Sequence, residues 1–140
     1  MRFDYGAEKR TFVHIVPTQF REREKYNSKT EDVMPNGYTG KILHVDLTKG
    51  TLEVEEPKEP FYRKYLGGSA MGMYYILRDM PKGADPLSPE NVLTLMAGVT
   101  TGAAISGQSR LNANAKSPIS GGIGDSQSGG FFPAELKFAG

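Results

Sequence analysis

The sequence predicts an α+β domain. Three observations carry the prediction: an alternating apolar pattern folded about a glycine in residues 38–56, apolar residues at helical spacing in residues 60–81, and a strand-length apolar run, VLTLMAG, at residues 92–98. A chain of 140 residues is long enough for one such domain with its own core and too short for two large ones, so one domain with an appendage is expected.

Residues 1–36 are the expected appendage. The run REREKYNSKTED mixes acids and bases with little apolar material, the composition of a solvated, poorly ordered extension. Within it, TFVHIV can make one short strand, which Pro17 would stop. Order is expected from Gly37, and the domain is taken as residues 37–140. In its first hairpin Leu43, Val45 and Leu47 share one face of one strand, and Leu52 and Val54 share one face of the next. Thr48-Lys49-Gly50 supplies the glycine that a short loop requires. Alternation of this kind ordinarily marks half-buried scaffold strands.

Pro60 opens the helical stretch PFYRKYLGGSAMGMYYILRDMP, since proline in a first turn gives up an N–H that has no partner anyway. Gly67-Gly68 is expected to end a first helix, with Ser69 capping a second that runs to about Asp79 before Pro81. Met73, Tyr74 and Leu77 form a stripe read as core. The prolines of PKGADPLSPEN mark a loop before the strand VLTLMAG.

From there the composition changes. Between Asn91 and Ala134 only Arg110, Lys116 and Asp125 carry charge, and glycine, serine and threonine dominate. So long a weakly charged stretch is expected to be enclosed, by its own fold or by something bound to it. Read as a strand, SRLNANAKSP puts Leu111, Ala113 and Ala115 on one face and Arg110, Asn112, Asn114 and Lys116 on the other, one face apolar and one a row of donors. Arginine offers a planar fork of N–H groups to phosphate or carboxylate, and lysine a point charge. The following KSPISGGIGDSQSGG can bring consecutive backbone N–H groups onto an anion, as in a nest, or it can be a flexible linker. Ile119, Ile123, Phe131 and Phe132, which a linker would not need, favour the cradle.

Several chemistries are excluded. The chain has no cysteine, so disulfides, zinc ribbons, thiol nucleophiles and cysteine-ligated clusters cannot be built within it. His14 and His44 are its only histidines and lie too far apart for H-E-x-x-H. There is no G-x-x-x-x-G-K-[ST] and no G-x-S-x-G. The G-x-G-x-x-G spacing fails where Gln127 stands at the third glycine. The acids of EEPKE read as a solvated turn. A net charge of +1 gives no electrostatic case for nucleic acid or an acidic membrane, and no apolar run reaches membrane-spanning length, so a cytoplasmic location is expected.

Taken together, GYTGKILHVDLTKGTLEVEE, YLGGSAMGMYYILRDM, DPLSPEN and SGQSRLNANAKSPISGGIGDSQSGGFFPAELKFAG resemble, in order and spacing, the beginning of the tungsten-containing aldehyde ferredoxin oxidoreductases. The resemblance runs from about Gly37 to Gly140. It implies tungsten, or molybdenum, held by two pterin dithiolenes on an amino-terminal base domain of mixed β-sheet with flanking helices, built as two similar repeats, of which this chain would carry the first, incomplete. Helical domains beyond the base would supply the cysteines of a [4Fe-4S] cluster and the substrate channel. The family oxidises aldehydes to carboxylic acids and passes electrons to ferredoxin, while relatives act reductively on aromatic thioesters.

Arg110 stands at the family's first pterin-contacting arginine, and Gln127 and Gly129 stand in its second contact loop. Ser128 and Gly130 complete that loop and Lys116 adds charge. By the same resemblance the main-chain carbonyl of Gln127 helps hold a magnesium ion bridging the two pterin phosphates. The chain departs from the family in two places: Gln127 where asparagine is usual, and Ser69-Ala70 where arginine and glycine usually follow the LGG. The resemblance also implies that the second repeat and every cluster cysteine belong to remaining domains or a complementary subunit. An exposed sheet edge would then favour homo-oligomers. A non-catalytic remnant or scaffold module is the alternative expectation.

Overall fold

The computed structural model describes the backbone of residues 12–15 and residues 37–139 in full. Six strands and three helices follow in the order β1 (Phe12–Ile15), β2 (Ile42–Asp46), β3 (Thr51–Glu55), α1 (Glu59–Tyr65), α2 (Gly68–Asp79), β4 (Leu93–Ala97), β5 (Leu111–Lys116), β6 (Ile123–Ser128) and α3 (Phe131–Phe138). The strands form one mixed sheet in the order β3-β2-β1-β4-β5-β6. β1 runs parallel to β4, and the other neighbours are antiparallel. The expected α+β class holds. Among the described residues no helix is long and apolar enough to cross a membrane.

The strand expected at TFVHIV is present, and its position corrects the expected start of order. β1 lies in the middle of the sheet, between β2 and β4, so it joins two antiparallel halves that do not otherwise pair. The sheet therefore begins upstream of Gly37. The remainder of residues 1–36 lies outside the described residues.

The turn between β2 and β3 is built by Asp46, whose Oδ1 accepts the N–H groups of Thr48 and Lys49 at 3.0 and 3.1 Å, as short acidic side chains do in turns. Pro60 lies in the first turn of α1, and Leu66 closes that helix in the left-handed conformation, its N–H donating to Tyr62 O at 2.8 Å. The residue preceding α2 is Gly67, not Ser69. Ser69 is inside the helix, and its hydroxyl is engaged elsewhere.

Helix α2 packs on β4 and β5 through Met71, Gly72, Tyr75 and Ile76, which are buried, while Leu77 is 73% exposed. The stripe expected at Met73, Tyr74 and Leu77 is thus displaced around the helix. Gly72 is the reason: a Cβ there would stand 2.6 Å from Thr94 Oγ1 and 2.7 Å from Asn114 Oδ1, so the helix settles on its bare backbone. The core gathers Ile42, Tyr62, Met71, Tyr75 and Met96, with Tyr38, Phe61, Tyr65 and Tyr74 packed around it. Phe61 sits among four tyrosine rings at centroid distances of 4.9 to 5.9 Å, mostly tilted or edge-on, the arrangement aromatic quadrupoles prefer.

Helix α2 covers one face of the sheet through β4 and β5, while the opposite face is exposed along β3 and buried at Ala97 and Leu111. Ile42, Thr94, Met96 and Asn114 point to the helix side and are fully buried. Their alternates do not: Leu43 pairs with Val54 and Val45 with Leu52, and Leu52 and Val54 are 68% and 58% exposed. The hairpin's apolar alternation is real, but it marks the face turned away from α2. The helix-side face of β2 and β3 carries a polar pairing instead, His44 Nε2 to Glu55 Oε2 at 2.8 Å and Arg78 of α2 to the same oxygen at 2.9 Å.

Candidate functional site

The charge-poor stretch is not a single cradle. Its first half closes a hairpin: Ser117 N–H donates to Gly122 O at 2.8 Å and Gly121 N–H returns to Ser117 O at 2.9 Å. Residues 123–128 then pair with β5 along their whole length. Backbone groups expected to converge as a nest are committed to this turn and ladder. Within KSPISGGIGDSQSGG, bare backbone facing a hollow narrows to Gly129 and Gly130, between the end of β6 and the first residue of α3, and Gly102 and Gly107 line the same hollow.

The row of donors expected on β5 divides three ways. Asn112 and Asn114 lie under α2. Asn112 Nδ2 donates to Ser69 Oγ at 2.7 Å and to Asp125 Oδ1 at 3.2 Å, and Ser69 Oγ donates to Asp125 Oδ2 at 2.6 Å. These bonds hold the Asp125 carboxyl below its usual range. Ser69 therefore ties α2 to β5 and β6. Lys116 ends β5 with its Nζ donating to Ala84 O and its N–H to Asn91 Oδ1 at 3.0 Å. Six residues of strand, about 20 Å, separate it from Arg110, so the structure does not bring these two cations together.

Arg110 alone opens toward the glycines. The register Leu111↔Ser128 sets it beside Gly129, and a Cβ on Gly129 would lie 3.3 Å from its Nη1. No hydrogen bond or ion pair joins its guanidinium to another described residue. Gly130 has φ of +83° and precedes α3 with no side-chain cap, leaving the first N–H groups of the helix without an intrahelical partner. Together with Gln108, Ser109, Phe131, Glu135 and Phe138 these residues line an open hollow of about 780 Å³. Gln127 pairs with Asn112 and Ser128 with Leu111, so their side chains project to opposite faces of the sheet, both exposed.

Two buried residues behind the hollow were not anticipated. Lys137 of α3 is 4% exposed and donates to Gly98 O at 2.8 Å and Val99 O at 2.6 Å. Burial pushes its pKa down to about 8. Thr101, 3% exposed, donates its hydroxyl to Arg110 O at 2.7 Å. The available signal for Lys137 was a lone lysine in the apolar segment FFPAELKF. Among the described residues no group of three His, Cys, Asp or Glu side chains could hold a metal ion.

The arrangement can grip a small anion at the joint of β5, β6 and α3, and comparison with known proteins gives that joint a context. The family model described as aldehyde ferredoxin oxidoreductase, N-terminal domain, matches residues 42–140. The chain is 46% identical over 104 residues to the tungsten-containing aldehyde ferredoxin oxidoreductase of Pyrococcus abyssi, a match covering 74% of this chain and 17% of that protein. It is 33% identical over 106 residues to the aliphatic sulfonate oxidoreductase, WOR-like subunit, of Pyrococcus furiosus, again over 74% of this chain and 17% of the relative. Among solved structures, the active site complex BamBC of benzoyl coenzyme A reductase in complex with 1,5-dienoyl-CoA shares the fold with a TM-score of 0.72 at 36% identity, over 76% of this chain and 16% of that one. The chain spans about a sixth of the length of these relatives. It belongs to the tungsten-containing aldehyde ferredoxin oxidoreductase family and carries that family's N-terminal domain.

Proposed function

We propose that this chain forms the tungstopterin-binding N-terminal part of an oxidoreductase that oxidises aldehydes to carboxylic acids, with ferredoxin as electron acceptor. The single observation that supports the reading is the unpartnered Arg110 guanidinium beside backbone that only glycine leaves open, at the mouth of an uncapped helix. A phosphate matches this donor set. The arginine fork can grip two of its oxygens, and the absent Cβ of Gly129 leaves room for it to lie against the main chain. The unpaired N–H groups at the start of α3 favour negative charge there.

When bound, the metal and its dithiolenes supply the redox chemistry. The work of this chain is to bind and orient. Arg110 would neutralise phosphate charge, the bare backbone of Gly129 and Gly130 would lie against the pterin, and Gln127 and Ser128, paired with β5, would set that backbone in place, with the main-chain carbonyl of Gln127 the oxygen that the family resemblance assigns to a magnesium ion. Molybdenum in place of tungsten would leave these roles unchanged. Lys116, occupied at the far end of β5, has no part in the contact. With no cysteine in the chain, a [4Fe-4S] cluster belongs to the remaining domains or a complementary subunit. That partner, or a second copy, would cover the exposed sheet face.

A second reading, reductive chemistry on an aromatic thioester, draws on the 36% identity to the benzoyl coenzyme A reductase complex. The 46% identity to an aldehyde enzyme favours the first.

Coexpression of the chain with the remaining domains of such an enzyme, followed by metal analysis, tests the proposal. Arg110→Ala should lower retained tungsten or molybdenum, since each charge-assisted hydrogen bond removed is worth about 1.5–3 kcal/mol. Equal metal in variant and wild type would remove Arg110 from the site.

A further inference from the structure

Arg110 lies one residue beyond the end of the sheet on its β4 side. The last pair there is Ala97↔Leu111, so the main chain of Arg110 has no strand partner from β4. Thr101 takes that place, its hydroxyl donating to Arg110 O at 2.7 Å while accepting the Gly98 N–H at 3.0 Å. Gly98 O in turn accepts the Thr101 N–H at 3.2 Å and the Lys137 ammonium at 2.8 Å. Lys137 also holds Val99 O at 2.6 Å. The path from α3 to the arginine is therefore continuous: Lys137 to Gly98, Gly98 to Thr101, Thr101 to Arg110. On the β6 side, Ser109 Oγ donates to Gly130 O at 2.7 Å, so the backbone around Arg110 is fastened on both flanks.

We infer that Lys137 and Thr101 are positioning residues for Arg110, fixing the backbone from which the anion-binding guanidinium projects. The inference rests on the reading of Arg110 given above. Its physical ground is the choice of groups. A buried ammonium is a costly way to fill space between a helix and a turn, and apolar packing alone would stabilise α3 at lower cost. What an ammonium provides that a methyl group cannot is a directional hold on two carbonyls. Thr101, likewise buried, makes both bonds a hydroxyl can usefully make at this point, one to the turn and one to the arginine's own carbonyl. A guanidinium on a loose backbone would lose ordering entropy each time it closed on an anion, whereas one set in advance does not.

The test uses the 140-residue chain with Thr101→Val, Thr101→Ser, Lys137→Met and Arg110→Ala. Inorganic pyrophosphate is titrated by NMR on the arginine side-chain N–H signals, with amide hydrogen exchange recorded at residues 109–111 and in β2. Thr101→Val keeps the shape and removes the hydroxyl, so it should weaken pyrophosphate binding about 2- to 10-fold, the equivalent of one hydrogen bond. It should also speed exchange at 109–111 while leaving β2 protected. Lys137→Met should do the same, and Thr101→Ser should restore wild-type behaviour. Pyrophosphate affinity and exchange unchanged in Thr101→Val and Lys137→Met would overturn the inference, as would a loss of protection spread equally through β2, which marks a purely structural role. If wild type and Arg110→Ala bind pyrophosphate alike, or neither binds, the phosphate reading fails by itself. Exchange at 109–111 then decides the positioning claim alone: local loosening in both variants upholds it, and none overturns it.

Discussion

Gly72 shows how one missing methyl group sets the distance between a helix and a sheet. Alanine would raise helix propensity by about 1 kcal/mol, yet its Cβ would fall 2.6 Å from Thr94 Oγ1 and 2.7 Å from Asn114 Oδ1, and both side chains are fully buried. Overpacking costs about 1–3 kcal/mol, and displacing Thr94 also breaks its 3.3 Å bond to Asn114 O. Gly72→Ala should therefore destabilise the chain by roughly 1–3 kcal/mol in urea unfolding; a stabilised variant would mean that α2 stands further from β5. Lys137 gives a second prediction, with a sign opposite to that of a paired lysine. Its folded pKa lies near 8 and its ordinary value at 10.5, so between these the unfolded chain binds more protons and stability rises with pH. Below about pH 8 both states carry the charge and the burial penalty is present in full. Urea midpoints at pH 7, 8.5 and 10 should climb in wild type relative to Lys137→Met, which has no group to titrate. Parallel curves would show that Nζ stays charged throughout.

At the scale of elements, β6 is an edge strand attached by its ladder to β5 and by Asp125 to α2. Asp125→Ala should loosen that second attachment: amides of Ile123–Ser128 would exchange faster while those of β4 keep their protection. Because hydrogen bonds from Ser69 and Asn112 hold the Asp125 carboxyl below its usual range, the attachment is in place at neutral pH and is lost as pH falls through the folded value. Uniform exchange in the variant would show that the ladder alone holds β6. The same strand shows why some elements could be read from residues and others could not. β2 and β5 carry period-two alternation in ILHVD and LNANAK, and β4 is a strand-length apolar run in LTLMA, signals local to each segment. β6, IGDSQS, has one apolar side chain and is a strand because the Ser117–Gly122 turn folds it against β5, a tertiary cause that leaves little trace in its own composition. α3 was missed for a related reason. FFPAELKF has a proline early and its phenylalanines exposed, and it is held by Lys137 reaching back to Gly98. The stripe on α2 was displaced because a buried glycine, invisible to a count of apolar residues, marks the packed face.

Considered as a whole, the described residues form one six-stranded sheet with α2 packed on one face and apolar side chains of edge strand β3 exposed on the other. Arg110 and the Gly129–Gly130 pair were legible because alternation along β5 and a glycine pair after it place them at one end of two adjacent strands. Lys116 was grouped with them because alternation assigns a face but says nothing of position along it, and the two ends of β5 do different things. Alternation likewise identified the apolar face of the β2–β3 hairpin without saying which side the helices would take, and they took the other. Leu52 and Val54 stand more than half exposed on edge strand β3, opposite Val45 and Leu43. An exposed apolar edge is prone to association, and side chains this accessible add little to the fold that carries them. Leu52→Lys with Val54→Lys should therefore change solution behaviour far more than stability. Wild type should sediment faster as concentration rises, the double variant should stay monomeric over the same range, and their unfolding free energies should agree within about 0.5 kcal/mol, as for surface substitutions generally. Identical sedimentation would mean that this face is not what makes the chain associate. A large loss of stability in the variant would mean that Leu52 and Val54 contribute to the core despite their exposure.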